Sequence, residues 1–202
     1  MMCRRLVVAL TGGPGGGKST LMEELKQDPA WEGRLLILPQ AVHTMHSINL
    51  SPREKLFQRV LVNLQMGLED GLVRSLEGED PRLILCHRGS LDPLAFWHLR
   101  GWPENEFFQF TRTCRQDHYQ RYAAVVHLVT AADDAAWAYK KWPEAHRPEE
   151  PKQAICLDNW LHEAWRGHPH YYRIGNQGLD WPAKARQARE ILDELFREAP
   201  RL

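Results

Sequence analysis

A glycine-rich run near the start of the chain constrains the fold more than any other feature. It follows the apolar segment Leu6 to Thr11 and reads Gly12-Gly13-Pro14-Gly15-Gly16-Gly17-Lys18-Ser19-Thr20. The run matches the pattern G-x-x-x-x-G-K-[ST] completely, a pattern typical of a loop that joins a buried strand to a helix and cradles phosphate. We therefore predict that residues 12–20 bind the phosphates of a nucleoside triphosphate.

Each part of this run has a chemical reason. Glycines allow the backbone to wrap closely around phosphate, and a helix that begins near Lys18 adds the positive end of its dipole. Lys18 is expected to reach the β- and γ-phosphates, and the Ser19 hydroxyl to ligate Mg²⁺, with Thr20 nearer the α-phosphate. The alternative is a glycine-rich turn without a ligand, which the strand and helix predicted on its two sides disfavour.

Apolar runs alternate with helical patterns along the rest of the chain, which favours a parallel sheet covered by helices. We predict an α/β fold of the P-loop NTPase type, with a mostly parallel five-stranded sheet and helices on both faces. Residues 1–202 are expected to form one domain. The predicted strands are Leu6–Thr11, Leu35–Leu38, Leu83–Cys86, Val125–Val129 and Tyr171–Ile174.

The helices carry clearer signals. Ser51-Pro52-Arg53-Glu54 is a capping box before a helix with leucines at helical spacing, and Glu104 to Tyr122 is predicted to be one helix. Thr130 to Asp133 is expected to cap a further helix. The segment 140–151 is rich in charge and proline and has lost its apolar periodicity, so it is predicted to be a loop or a lid.

Composition narrows the partners and the compartment. Lysine and arginine (26) balance aspartate and glutamate (26), so a general nucleic-acid binder is not expected. No apolar stretch is long enough to span a membrane, and the apolar run near the start is too short for a signal peptide. Four cysteines lie far apart and form no metal-binding pair, which favours a reduced, cytoplasmic protein.

The run Thr11 to Thr20 resembles that of a family of P-loop "AAA domain" proteins that look like small-molecule kinases. This family includes the ribosylnicotinamide kinase domain of NAD-biosynthesis regulators, and it is similar in design to deoxynucleoside and thymidylate kinases. Weaker matches follow in the same order along the chain: Leu38-Pro39-Gln40-Ala41, Phe57-Gln58 with Gln65, His87-Arg88-Gly89-Ser90-Leu91-Asp92, Arg147-Pro148-Glu149, Leu157-Asp158, Trp165 to Pro169 and Ile174-Gly175-Asn176. The resemblance implies ATP as the phosphoryl donor.

Two positions depart from the family pattern. The resemblance implies a catalytic glutamate where this chain has Gln40, and an aspartate at the end of the third strand where it has His87. Gln40 has no carboxylate, and a neutral His87 is a poor replacement for a hard oxygen ligand of Mg²⁺. Three alternatives stay open: Asp92 supplies the carboxylate, His87 is itself the base, or the protein binds nucleotide with little turnover. For His87 a buried structural histidine is an equal alternative.

The remaining candidates are mainly charged side chains. Arg88 is expected to bind a substrate phosphate or the transferring group, or else to pair with Asp92, which also reads as a helix N-cap. Lys140, Lys141 and Arg147 are candidates for lid cations that close over the triphosphate, with a solvated charged loop as the alternative. Asn176 is expected to contact the base or to serve a turn. Arg112 and Arg115 are predicted to share a helix face.

These features predict an ATP-dependent phosphotransferase that acts on a small hydroxylated acceptor, a nucleoside or nucleotide, with Mg²⁺ as cofactor. Its catalytic residues would be Lys18, His87, Arg88, Asp92 and Arg147. The alternative is a nucleotide-binding switch or degenerate kinase that acts through a protein partner. A GTPase is disfavoured because no Asn-Lys-x-Asp motif occurs.

Overall fold

The chain folds into one central sheet with helices packed on its two faces. The computed structural model describes residues 6–45, 48, 50–141, 150–178 and 180–198, with only the backbone of Lys140 and Lys141. The strands are β1 (Leu6–Thr11), β2 (Leu35–Leu38), β3 (Leu83–His87), β4 (Ala124–Leu128) and β5 (Tyr171–Ile174). The helices are α1 (Lys18–Gln27), α2 (Ala41–Met45), α3 (Lys55–Ser75), α4 (Asp92–Leu99), α5 (Glu104–Thr111), α6 (Arg115–Tyr119), α7 (Ala136–Lys141), α8 (Pro151–Trp165) and α9 (Trp181–Glu198).

The sheet has the strand order β2-β3-β1-β4-β5, and every neighbouring pair is parallel. The prediction of a mostly parallel five-stranded sheet is confirmed, and the sheet is parallel throughout. From β1 the chain passes to β2 and β3 on one side of β1, and it then crosses to β4 and β5 on the other side. Ligands of open parallel sheets bind at such a switch point, outside the carboxyl ends of the strands.

Strand β1 shows why this sheet needs helices on both faces. All six of its residues are buried. Leu6, Val8 and Leu10 pack into a core with α1 and α9, whereas Val7 and Ala9 pack into a second core on the opposite face, with α4 and α8. Successive strand residues point to opposite faces, so a strand covered on both sides is apolar without interruption.

Three helix predictions differ in detail from the structure. The predicted helix from Glu104 to Tyr122 is two helices, α5 and α6, because Arg112 adopts φ 58° in the left-handed region and ends the first. The second begins after Cys114, whose N–H donates to the Asp117 carboxylate at 2.6 Å. Arg112 and Arg115 therefore lie in different segments and do not share a helix face.

The capping box before α3 also differs from its prediction. Glu54 does reach back to the Ser51 N–H at 3.1 Å, but the helix itself begins only at Lys55. The side of α3 that faces the protein is more polar than the leucine spacing suggests. The buried residues are Phe57, Gln58, Val62, Gln65 and Glu69.

The region around Thr130 forms a turn rather than a helix cap. Strand β4 ends at Leu128, and α7 begins only at Ala136. The Thr130 hydroxyl instead accepts from the Ala132 N–H at 3.2 Å and donates to the Pro14 carbonyl. Of the predicted lid, the backbone of Lys140 and Lys141 ends α7 and Pro151 begins α8, while Arg147 lies outside the described residues.

Candidate functional site

The phosphate loop lies between the carboxyl end of β1 and the first turn of α1, where the sequence predicts it. Gly12 and Gly17 adopt φ angles of 119° and 94°, in the region that favours glycine. A Cβ on Gly12 would lie 2.0 Å from the Leu128 carbonyl oxygen, and one on Gly17 would lie 2.1 Å from the Trp181 ring. Both positions therefore require glycine for conformation and for space.

Lys18 is the first residue of α1, and its ammonium group lies on the loop. Nζ donates to the carbonyl oxygens of Gly12 at 2.7 Å and Gly13 at 2.8 Å. The first N–H groups of a helix have no partner within it, and they carry the positive end of the helix dipole. Ser19 and Thr20 are exposed beside them. The arrangement suits an anion of high charge.

A buried carboxylate supports the loop from behind. Asp158, in α8, accepts hydrogen bonds from the N–H groups of Gly13 at 2.6 Å and Thr130 at 3.1 Å. Burial alone would raise the pKa of Asp158, but these N–H groups and the nearby His127 outweigh it, so the pKa is lowered. His127 Nε2 lies 3.1 Å from Asp158 Oδ1. The geometry is not that of a hydrogen bond, and neither ring nitrogen of His127 has a hydrogen-bond partner among the described residues. Asp158 thus ties the loop to β4.

Asp92 is the second buried carboxylate, at the start of α4 and 2% exposed. It accepts from Thr11 Oγ1 at 2.8 Å, Trp165 Nε1 at 2.7 Å and Arg88 Nη1 at 3.2 Å. It does not cap the helix, because Leu91 is the N-cap residue. The ion pair with Arg88, the alternative to phosphate binding by Arg88, is present, and Asp92 is already occupied as an acceptor.

Arg88 follows β3 directly and has φ 82°, so the chain turns sharply there. Its Nη1 also donates to the Gly12 carbonyl at 3.0 Å, and its guanidinium lies 5.7 Å from the centre of the Phe96 ring. The turn is held from α3, where Gln65 Nε2 donates to the Arg88 carbonyl at 3.3 Å. Arg88 therefore stands beside the phosphate loop with its orientation fixed.

His87 ends β3 and faces the loop. Its Nε2 lies 3.2 Å from Ser19 Oγ and 3.3 Å from Gln40 Nε2, while its Nδ1 is buried without a partner among the described residues. Burial, followed by the charges of Lys18 and Arg88, lowers the pKa of His87 to about 2. Such an imidazole is neutral near pH 7 and holds an abstracted proton too weakly to be an effective base. The lowered pKa disfavours His87 as the base, and its role stays a prediction.

Asn176 lies beyond β5, and both ends of its amide are engaged. Nδ2 donates to the carbonyls of Thr130 at 2.7 Å and Asp133 at 2.6 Å, and Oδ1 accepts from Lys184 Nζ at 2.8 Å. Lys184 also donates to the Val129 carbonyl at 2.6 Å, and burial lowers its pKa to about 8. These contacts support the turn alternative for Asn176, while contact with a base stays a prediction.

A polar stripe on α3, made of Gln58, Gln65 and Glu69, faces inward and contacts the turn at Arg88 through Gln65. Gln65 Nε2 donates to Glu69 Oε1 at 2.8 Å, and the same oxygen accepts from the Tyr122 hydroxyl at 2.5 Å. Arg121 Nε donates to the other oxygen at 2.7 Å. Gln58 lies two turns before Gln65; it is 3% exposed, and its amide oxygen has no partner in the described part of the chain.

The donor atoms near the loop determine whether Mg²⁺ fits. Within the described ranges, no cluster of three or more His, Cys, Asp or Glu side chains is arranged to hold a metal ion. Mg²⁺ needs few protein ligands in nucleotide sites, because phosphates and water supply the rest. The exposed hydroxyl of Ser19 therefore fits the predicted role of ligand.

The structure thus brings most predicted site residues together. The loop, Lys18, Ser19, Arg88, His87 and Asp92 meet at the carboxyl ends of β1 and β3, and Asn176 lies past the ends of β4 and β5. Sequence reasoning missed Asp158, Thr130 and the polar stripe of α3 as parts of the site. An acid on the apolar face of α8, four residues after Ala154 and three before Leu161, was an available signal for Asp158.

Comparisons with known proteins agree with this geometry. The sequence pattern of a protein family described as "AAA domain" matches residues 7–180. No curated protein sequence matches the chain. Among the described helices, none is both long and apolar enough to cross a membrane.

Two solved structures of a deoxyadenosine kinase from M. mycoides share the fold. One contains the products dCMP and a flexible dCDP; it has a TM-score of 0.60 and 15% identity, over 94% of this chain and 100% of that one. The other contains dATP; it has a TM-score of 0.52 and 14% identity, over 93% of this chain and 100% of that one. At such low identity the likeness shows the P-loop kinase-like fold.

Proposed function

Since the chain belongs to the AAA domain family of P-loop proteins, we propose that it transfers the γ-phosphoryl group of ATP to a hydroxyl of a small acceptor, a nucleoside or nucleotide. The observation that carries this proposal is the complete phosphate loop with Arg88 fixed beside it, 3.0 Å from the Gly12 carbonyl. A helix N-terminus, a lysine and an arginine around one space suit a transferring phosphoryl group.

Each residue has a role in this proposal. The loop N–H groups bind the phosphates, and Lys18 turns from the loop carbonyls to the β- and γ-phosphates. Ser19 holds Mg²⁺, which when bound would neutralise charge on the phosphate oxygens. Asp92 orients Arg88, which positions the acceptor or the transferring group. We propose that Arg147 and a lid formed by residues 140–151 exclude water. Residues 142–149, which include Arg147, lie outside the described residues.

The proposed transfer does not depend on a strong base. Gln40 carries no carboxylate, Asp92 is occupied by three donors, and the pKa of His87 is too low. Phosphoryl transfer depends mainly on positioning and electrostatic stabilisation, because the transition state is loose and charge builds on the phosphate oxygens. A slow to moderate kinase is the expected outcome.

Two observations support a nucleoside or nucleotide acceptor. One is the polar stripe of α3, and the other is the M. mycoides enzyme, which is named a deoxyadenosine kinase and binds dCMP, dCDP and dATP. A base edge offers the donors that the Gln58 amide oxygen lacks. The cytoplasm remains our proposed compartment, because Cys86, Cys114 and Cys156 are free thiols.

The test is ADP release from Mg-ATP, measured with and without a panel of nucleosides, nucleotides and phosphorylated sugars. We expect one class of acceptor to stimulate ADP release in the parent protein and Lys18→Ala to abolish the stimulation. Lys26→Ala is the matched control, because Lys26 lies on the same helix and pairs with exposed Glu23. Equal turnover in the parent and in Lys18→Ala would refute the proposal.

A second candidate function rests on Gln40 and His87, which replace the carboxylates that the family resemblance implies. Here the protein is a nucleotide-binding switch that acts through a protein partner. The double variant Gln40→Glu, His87→Asp separates the two candidates when ADP release is measured. It should raise turnover in a degenerate kinase, and it should lower turnover in an enzyme whose site has been rebuilt around these two residues.

A further inference from the structure

The end of β3 places an imidazole where it can share a cation with the phosphate loop. Ser19 Oγ and His87 Nε2 are 3.2 Å apart. Two ligand atoms that each lie about 2.1 Å from one octahedral ion, at a right angle, are about 3.0 Å apart. The two atoms form a hydrogen bond in this structure, and the same separation would suit two neighbouring ligands of a single divalent cation that replaces this hydrogen bond.

The buried carboxylates described beside the loop are already engaged as hydrogen-bond acceptors. Asp92 accepts from Thr11, Trp165 and Arg88, and Asp158 accepts from the N–H groups of Gly13 and Thr130. Gln40 offers an uncharged amide 3.3 Å from the same imidazole nitrogen. A cation at Ser19 would therefore meet one hydroxyl, one imidazole and the phosphates of the nucleotide.

We propose that the divalent cation that accompanies the nucleotide binds both Ser19 Oγ and His87 Nε2, so that this site prefers a transition ion such as Mn²⁺ or Co²⁺ to Mg²⁺. Imidazole nitrogen binds Mg²⁺ poorly, and the affinity of nitrogen ligands for divalent ions rises from Mn²⁺ through Co²⁺. The proposal rests on nucleotide binding at the loop, as proposed above, and it does not rest on phosphoryl transfer.

The surroundings of the ring are consistent with a ligand at Nε2. The basic groups that act on His87 are Lys18, Arg88 and His43, so the bare site is cationic and gains from a polyphosphate. When Nε2 binds a cation, the ring proton is on Nδ1, and this N–H has no acceptor among the described residues. The Gln40 amide can rotate to offer its oxygen in place of its nitrogen.

The direct test uses electron spin echo spectroscopy of Mn²⁺ with a non-hydrolysable ATP analogue and protein labelled with ¹⁵N only in histidine. Such labelling separates protein imidazole from the nitrogen atoms of the nucleotide. We expect a ¹⁵N coupling of the size found for directly bound imidazole in the parent, and its loss in His87→Asp. His98→Gln is the control, because His98 belongs to α4 and pairs with Glu104.

A binding measurement gives a second readout. The dissociation constant of the analogue is measured with Mg²⁺, Mn²⁺ and Co²⁺ in turn. In the parent we expect binding at least about tenfold tighter with Co²⁺ than with Mg²⁺, and in His87→Asp a ratio nearer to one. His87→Gln, which is closer in size, replaces the aspartate variant if that variant melts early.

The outcomes separate the two proposals. Analogue binding without a histidine coupling, and with the same cation preference in parent and variant, would overturn the shared cation and leave the phosphotransferase standing. Coupling without any acceptor-stimulated ADP release would leave the cation site standing and overturn the phosphotransferase. If no cation supports binding of the analogue, both are refuted.

Discussion

The two walls of the site differ in how well their buried polar atoms are satisfied. The donor wall is defined here as Asp158, Thr130, Asn176 and Lys184. Each of these four side chains takes part in hydrogen bonds. The acceptor wall, defined as Gln40, Gln58, Gln65 and His87, leaves two buried atoms without partners among the described residues, Gln58 Oε1 and His87 Nδ1.

The contrast holds for the residues that define the two walls, because His127, which lies beside Asp158, also has two buried ring nitrogens without a partner among the described residues. A buried polar atom without a partner costs about 1–3 kcal/mol, so folding alone does not explain its presence. The donor wall is therefore best understood as the support of the phosphate loop. The Gln58 amide oxygen of the acceptor wall would find its partner in an acceptor molecule, whereas the cation proposed above would bind the other ring nitrogen of His87, Nε2, and would leave Nδ1 without one.

The largest effect should follow from removing the carboxylate of the donor wall. Asp158→Ala leaves the buried N–H groups of Gly13 and Thr130 without an acceptor, so we expect a loss of about 3 kcal/mol in the free energy of unfolding. Urea denaturation measures it. Nucleotide affinity should fall as well, because the loop loses its tie to β4.

The matched control is Asp158→Asn, which keeps an amide oxygen at the position of the bonded carboxylate oxygen. Its cost should be about 1 kcal/mol, since both N–H groups retain an acceptor. An alanine variant as stable as the asparagine variant would contradict the proposal that these hydrogen bonds support the loop.

Substitution of Gln65, the glutamine of the acceptor wall whose amide is hydrogen-bonded, should have the next largest effect on the free energy of unfolding. Gln65→Met keeps the length of the side chain but removes the hydrogen bonds to Glu69 and to the Arg88 carbonyl. We expect a loss of about 2 kcal/mol in the free energy of unfolding, because a buried carboxylate loses one of its donors. Thermal unfolding followed by circular dichroism gives the value. No loss would mean that Gln65 does not hold the turn at Arg88.

Much of the fold could be predicted from the sequence because its signals are local. The strands Leu6–Thr11, Leu35–Leu38 and Tyr171–Ile174 have the predicted bounds, since an apolar run ended by a turn residue needs no distant information. The prediction of one helix from Glu104 to Tyr122 was wrong because it also used only local signals. Its break depends on the φ angle of Arg112, a residue type that carries no turn signal.

The site was predictable only where a motif carried it. The loop residues and Arg88 lie in short patterns whose chemistry is known, and both are where the patterns require. Asp158 forms its contact with Gly13 across 145 residues of chain, so the family match at Leu157-Asp158 and its place on the apolar face of α8 mark the residue but do not reveal its partner. The face of α3 was misjudged because leucine spacing gives the helix period, whereas Gln58, Gln65 and Glu69 face inward to meet partners on other elements.

The smallest expected effect on stability belongs to Gln58, the unpaired counterpart of Gln65 on the same side of α3. Gln58→Met replaces a buried amide, whose oxygen has no partner in the described part of the chain, with an apolar side chain of similar length. We expect a change in the free energy of unfolding between zero and a gain of about 1 kcal/mol.

The affinity for the stimulating acceptor should fall about tenfold or more, because a site built to hydrogen-bond its ligand discriminates strongly. Urea denaturation and acceptor titration of ADP release measure the two quantities on the same preparation. If Gln58→Met lowers the free energy of unfolding as much as Gln65→Met does, the two glutamines are equivalent parts of the fold. The proposal that Gln58 awaits a ligand, on which the contrast between the two walls depends, would then be wrong.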